Sequence, residues 1–433
     1  MIYVIAVTGI VSLIIGIMIT QYLMHTYSIR SSIQEVQDFY TAEAGIKKAL
    51  YYLTSDPEKG FEWRTGDCFE DEPIIEKVFY DLNDEVNISV LDDCGYLKII
   101  SRTKKTPGKR IEILVSGVIP SNLENNLFVV AQKPLVLDSG SWIKGLIKLN
   151  REPVFQGGSI DGILEINNTL SLTPFLTKTF VNSIHYFRYL LSTPGFFTSE
   201  LFAPQVFSPE YPLKAKKLFV NDAVLVENTN YDSLWHAGDN LIIASTADVQ
   251  LSGLTEMSDI TILAIGTVKF LDKVRIKSSR IYSETGIVVA EEAEFTGVFI
   301  APEIKIIEKA KLSEPSILYC GSPFKRGTVI FDSELPCFCS VINLCTDEGS
   351  SIEISERSKL EGFVYSRAPV THRGEISGFV YCNGFFEDPI TQDTTNTNII
   401  SGIIKPPDSV KAFLIPMVFP DIDDFSILNW QEF

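Results

Sequence analysis

Residues Ile2–Met24 form a run of 23 residues without a charge. At ~1.5 Å per helical residue it reaches ~35 Å, enough to cross a hydrocarbon core of ~30 Å. A secretory signal has a basic start, an apolar core of about 7–15 residues and a small-residue cleavage site. This run is longer, and nothing basic precedes it. The reading is a single-pass membrane anchor in contact with lipid through residues 2–24.

The helical pattern does not stop at Met24. Tyr27, Ile29, Ile33, Val36, Tyr40, Ala44, Leu50 and Leu53 recur mostly at spacings of three and four, with Gln34, Glu35, Asp38, Glu43, Lys47 and Lys48 on the other faces. No proline interrupts Ile2–Leu53, and Pro57 ends the run. One helix, apolar all round and then amphipathic, is expected over 1–54. Gly9 and Gly16 would let such helices approach closely if several bundled together.

The segment Phe39-Tyr40-Thr41-Ala42-Glu43-Ala44-Gly45-Ile46-Lys47-Lys48-Ala49-Leu50 follows that apolar run. It resembles the N-terminal region of type IV pilin-like proteins, in particular the PilX-type minor pilins, whose long helix ends in an A-E-A-G-(I/L)-x-x-A-L segment. Leu97–Val118, with Ser101-Arg102 and Lys109-Arg110 ahead of an apolar strand, is similar to the small sheet that follows in those proteins. The resemblance implies that the helix, with Glu43 and Gly45 in its motif, assembles with other pilin-like subunits. Major pilins carry a glutamate at the fifth mature position, where this chain has Ile5. That difference implies a minor or tip subunit of a type IV pilus-like or type II secretion pseudopilus-like filament, with an extracytoplasmic body. No basic leader ending in glycine precedes the run, and Met1 is read as the processed end.

From Asn126 the pattern changes to short strands. Apolar pairs six residues apart recur at Ile243/Val249, Ile262/Val268, Ile281/Ile287 and Val298/Ile304, with first members spaced by 19, 19 and 17 residues. The same pair occurs at Val129/Leu135, Val364/Val370 and Val380/Phe386, and Gly-Phe-Val-Tyr occurs from Gly362 and from Gly378. Such a period, with two or three strands per turn, predicts a parallel β-helix. The fold class is therefore mainly β: a long N-terminal helix, a small β-rich domain over 55–125, a β-solenoid over 126–404 and a cap or tail over 405–433. The period lapses over about 169–235, where Phe180, Ile184, Phe187, Leu190 and Leu191 have helical spacing. An insertion projecting from the solenoid is expected there, with aromatic residues forming either its own core or a platform for a surface or a partner subunit; a surface or glycan ligand is the partner expected of the exposed body.

Charge narrows the partners. Lys plus Arg minus Asp plus Glu is 37 − 55 = −18, the wrong sign for phosphate binding, so no nucleic-acid partner is expected. Asp347-Glu348, Glu387-Asp388 and Asp421, Asp423 and Asp424 are the carboxylate candidates for a polysaccharide-cleaving β-helix enzyme. Each adjoins turn residues or the chain end, and solvated loop acid is preferred. His25, His185, His236 and His372 are scattered, and no phosphate-cradling loop or HExxH stands out. No enzyme, cofactor or metal is expected. The alternatives are a membrane-tethered carbohydrate-active β-helix enzyme or a polymerising scaffold resembling the bactofilins.

Seven cysteines complete the inventory. Cys68 and Cys94 could close a clip worth ~3 kcal/mol in an oxidising compartment. Cys337, Cys339 and Cys345 lie close together, and Cys320 and Cys382 are read as neighbours on adjacent coils. Buried or stacked free thiols rank first, disulfides second and metal last.

Overall fold

The computed structural model describes residues 2–55, 66–67, 74–79, 84–104, 108–119, 128–131, 135–149, 152–166, 178–192, 205–208, 217–229, 241–382, 398–405, 413–415 and 424–432. Ile2–Ser55 is one helix, α1, of 54 residues and ~81 Å. Among the described residues no helix holds a run long and apolar enough to cross a membrane. The uncharged run Ile2–Met24 falls partly outside them, because the side chains of residues 2–8, 10 and 11 are not described.

The amphipathic half of α1 packs on a small sheet. Ala42, Ile46 and Ala49, one stripe at spacings of four and three, are buried against Val86, Ile88, Val90, Leu97, Ile99, Ile111, Ile113 and Val115. Asp84–Asp93, Tyr96–Thr103 and Arg110–Ile119 form an antiparallel meander, with Ile74–Phe79 antiparallel and Gly66–Asp67 parallel to its first strand. Its far edge is completed by Phe413–Ile415 and Asp424–Glu432, both antiparallel to Arg110–Ile119. The described strands of the 405–433 tail thus pair with the small sheet, and the expected solenoid cap is replaced by a sheet edge.

The body is a parallel β-solenoid of two stacked sheets, of 14 and 12 described strands. Coil follows coil in register: Val224, Val249, Val268, Ile287, Ile304, Val329, Ile352 and Val370 form one inward ladder. The second members Val249, Val268, Ile287, Ile304 and Val370 lie on it, and Phe386 lies outside the described residues. The first members stack from Ile243 to Ile262 to Ile281, but the next rung presents Phe299, while Val298 pairs with Arg280. This offset accounts for one of the two residues by which the spacing before Val298 falls short of 19. The two Gly-Phe-Val-Tyr segments lie directly on one another, residue for residue. Gly378 has φ +152° and sits against the Gly362 carbonyl, which any Cβ would overlap. Glycine marks the bend of the long strands, and valine points inward there.

The order of coils departs from the order of the sequence. The stack starts at 205–227 and winds to Val370–His372 and Glu375–Cys382. The next rung is shared by two distant segments. Ile403–Lys405 pairs with Glu375–Ser377, and Phe128–Ala131 pairs with the other half of the same strand through Val380–Cys382. Trp142–Leu149 then covers both, and Ser159–Ile166 forms the outermost rung. The chain enters the solenoid near one end, adds the outer coils, crosses to the far end and winds back.

That crossing explains the lapse in period. Its described part contains a helix, α2 (Lys178–Ser192), and the strands Gln205–Phe207, Lys217–Val220 and Val224–Glu227, which are ordinary solenoid coils. The expected projection is corrected. Phe180, Ile184, Phe187, Leu190 and Leu191 are buried in the solenoid's own core cluster, and α2 lies between the small sheet and the outer face of the solenoid. The apolar stripe is the covered face of this helix, while His185, Tyr189 and Ser192 stay exposed.

Candidate functional site: the projecting helix, its seat and its joint

From Ser12 to Gln37 every α1 residue except Thr26 is exposed, a length of ~39 Å. Leu13 is 65% exposed and Tyr22 72%, and Ile14, Ile15, Ile17, Met18, Ile19, Leu23 and Met24 share this surface. Folded monomers rarely leave so large a contiguous apolar area bare. Gly9 and Gly16 lie on this projecting half, and a Cβ on either would meet nothing within 4 Å. Met1 and the side chain of Ile5 lie outside the described residues.

The motif residues lie at the seat. Gly45 is where helix and sheet approach most closely: a Cβ there would overlap the Ser101 hydroxyl and come within 3.1 Å of Val86. Glu43 faces away and pairs with Lys47 at 2.8 Å, one turn on. Lys109 reaches Glu35 at 3.0 Å, tying the sheet to the helix where the projecting half begins. Exposed pairs of this kind contribute at most about 1 kcal/mol, so the seat rests on apolar contact. Gly45→Leu is therefore expected to cost about 1–3 kcal/mol by overpacking, seen as faster proteolysis at the α1–sheet contact. Gly16→Leu is expected to leave stability unchanged in the same assay.

The small sheet is locked to the solenoid by its own hairpin. The turn between Asp84–Asp93 and Tyr96–Thr103 consists of Cys94 and Gly95, both at positive φ (51° and 95°), the geometry that suits a two-residue hairpin. Its tip belongs to the solenoid's core: Cys94 and Tyr96 are buried with the coil residues, and Phe180 of α2 lies over Gly95 and stacks on Tyr319 at 4.1 Å. Asp93, buried beside the tip, takes a bidentate pair from Arg280 on the solenoid's outer face. Burial, with the Asp93 charge beside it, pushes the Cys94 thiol up to about 12. A second clamp joins α2 to the solenoid, where Arg188 donates two hydrogen bonds of 2.7 Å to Glu284 and one of 3.0 Å to the Tyr282 hydroxyl. Burial alone would raise the Glu284 carboxyl, but the Arg188 and Tyr282 hydrogen bonds hold it below its ordinary value.

The remaining candidates do not converge. Asp347 and Glu348 sit in an exposed turn, where the Asp347 carbonyl accepts from the Ser350 amide at 3.0 Å. Glu387, Asp388, Asp421 and Asp423 lie outside the described residues, as does the side chain of Asp424. Among the described residues no three His, Cys, Asp or Glu side chains group as metal ligands would. Cys94, Cys320, Cys337, Cys339 and Cys345 are buried and form no disulfide among the described residues, and Cys68 lies outside them. Cys320 and Cys382 share one column but are not adjacent, since Asn343 and Ser366 stand between them.

Sequence reasoning missed the Asp93–Arg280 clamp and the position of His372. His372 takes a place on an inward apolar ladder, between Ile354 and Ile400. The signal was available: Val370-x-His372 stands where other coils have Val249-x-Leu251, Val268-x-Phe270 and Ile352-x-Ile354.

No protein-family model matches the chain, and no curated protein matches it at a significant level. Among solved structures, the competence-associated pilin ComZ from Thermus thermophilus aligns over 92% of this chain and 97% of its own at 12% sequence identity, with a TM-score of 0.18. A likeness at that score carries no argument.

Proposed function

We propose that this chain is a structural, non-enzymatic subunit of a pilus-like filament. In this reading α1 is the anchoring and assembly element, the small sheet is its seat, and the solenoid is the body that the filament presents. One observation carries the proposal: the buried stripe of α1 lies in its last turns, while the ~39 Å of helix from Ser12 to Gln37, uncharged until Arg30 and tied to the body at Glu35 by Lys109, is otherwise exposed. Such a surface needs lipid tails or neighbouring helices against it. A helix that leaves lipid for a helical bundle exchanges one apolar environment for another, so little apolar burial is lost on extraction.

The finer reading is a minor or tip subunit of a type IV pilus-like or type II secretion pseudopilus-like filament, anchored by one membrane pass before assembly and adhesive through its solenoid. It is supported by the A-E-A-G segment at the seat and by Ile5 in place of the glutamate of major pilins. The test is intact mass and N-terminal sequencing of the protein from native membranes and from sheared surface filaments. A chain starting at Met1 with one added methyl group, recovered in the filament fraction, is expected. An unmodified chain confined to the membrane sinks the proposal.

A further inference from the structure

The two ends of the solenoid are unequal. At one end the rung formed by Val154–Phe155 and Ser159–Ile166 continues the ladders beneath it, setting Leu164 over Ile147, Ile166 over Leu149 and Phe155 over Leu137. Ile147, Leu149 and Leu137 are fully buried, whereas Phe155 is 54% exposed and Ile166 44%. At the other end Val220, Val224 and Val226 are buried, and Phe207 and Leu218 partly so. Among the described residues, the inward side chains are exposed at the first of these ends and covered at the second. Among the described residues no strand pairs with the outer edge of Ser159–Ile166. That strand carries neither the proline nor the lysine that commonly protects an exposed edge.

We propose that this end rung is the interface for a second copy of the same chain, docked end to end through the same rung. Rung-on-rung packing already joins separate stretches of the chain without covalent continuity, where Phe128–Ala131 and Ile403–Lys405 share one level, and the outermost rung extends that interface. A head-to-tail contact would need a second open end, so like must meet like, and the contact closes at two copies. In an antiparallel pairing centred on Gly162, Ile160 meets the second copy's Leu164, Asp161 meets Ile163 and Ser159 meets Glu165. Apolar residues then share the inner face, and no like charges oppose one another. The 15 residues of 152–166 compare with the ~20–30 per side of a standard ~800 Å² interface. The dimer is therefore weak and concentration-dependent.

This inference is independent of the filament reading. The test uses the full chain in detergent micelles, with protein mass measured by sedimentation across a dilution series. The expected result is a shift from the 48.4 kDa chain to twice that mass as concentration rises. Leu164→Lys, and Ser159→Glu, which sets a like charge against the second copy's Glu165, should each weaken the association by about tenfold or more. Ser159 is exposed at the edge, so its variant keeps the test sound if the Leu164 variant misfolds. A single mass at every concentration overturns the proposal. So does a dimer that both the Leu164→Lys and Ser159→Glu variants leave intact, which would instead be association through α1.

Discussion

Arg280→Met is expected to destabilise the protein by about 3–5 kcal/mol, more than the loss of an ordinary surface pair. The reason is an asymmetry in burial: the Asp93 side chain is 1% exposed and that of Arg280 19%. Removing the cation leaves a carboxylate with no access to water, whereas Asp93→Asn leaves a guanidinium that is partly hydrated and costs less. The order Arg280→Met worse than Asp93→Asn, read by urea unfolding, is the discriminating result; equal or reversed losses would refute the account. The hairpin tip supplies a second reading. Cys94 is sealed between the sheet and the solenoid, so the weakened clamp should make it the first buried thiol labelled by an alkylating reagent, detected by peptide mass.

Stability should also fall by about 2 kcal/mol between pH 6.5 and pH 5 on account of one side chain. Burial pushes the His372 imidazole down to about 3, against an ordinary 6.5. Because the value is lowered in the folded state, the unfolded chain takes up the proton first. The contribution is complete above pH 6.5 and is lost as pH falls towards 3, at ~1.4 kcal/mol per unit. His372→Leu keeps the ladder apolar between Ile354 and Ile400 and should flatten the profile above pH 5. Glu284 and Asp332, whose values are lowered by their arginine partners, contribute only at more acid pH. Parallel profiles for variant and wild type would remove His372 from the explanation.

Local chemistry was legible in the sequence and long-range order was not. The uncharged run and the Ala42–Ala49 motif announced one long helix and its packing stripe, because both are written at helical spacing. The spacing of Val249, Val268 and Ile287 announced the solenoid, because a coil must repeat to stack on itself. A period cannot say which coil neighbours which, and the natural assumption is that sequence neighbours stack. That assumption fails at one rung, where Ile403–Lys405 and Phe128–Ala131 lie end to end. The place of the tail is hidden for the same reason, since a strand at Asp424–Glu432 carries no mark of a partner about three hundred residues earlier. Asp93 and Arg280, 187 residues apart, could be paired only once the fold had brought hairpin and coil together. The aromatic residues of α2 were read correctly as helical and wrongly as projecting, because an apolar stripe specifies that a face is covered but not by what.

The pairing of Asp424–Glu432 with Arg110–Ile119 makes synthesis itself a checkpoint. The sheet that seats α1 can be finished only after every coil of the solenoid has left the ribosome. At ~5–20 residues per second, the wait between the two strands is on the order of 15–60 s. Throughout that interval the helix leans on a sheet with an open edge. A chain broken anywhere in the solenoid never closes it. Only molecules that carry the whole body can present a completed base.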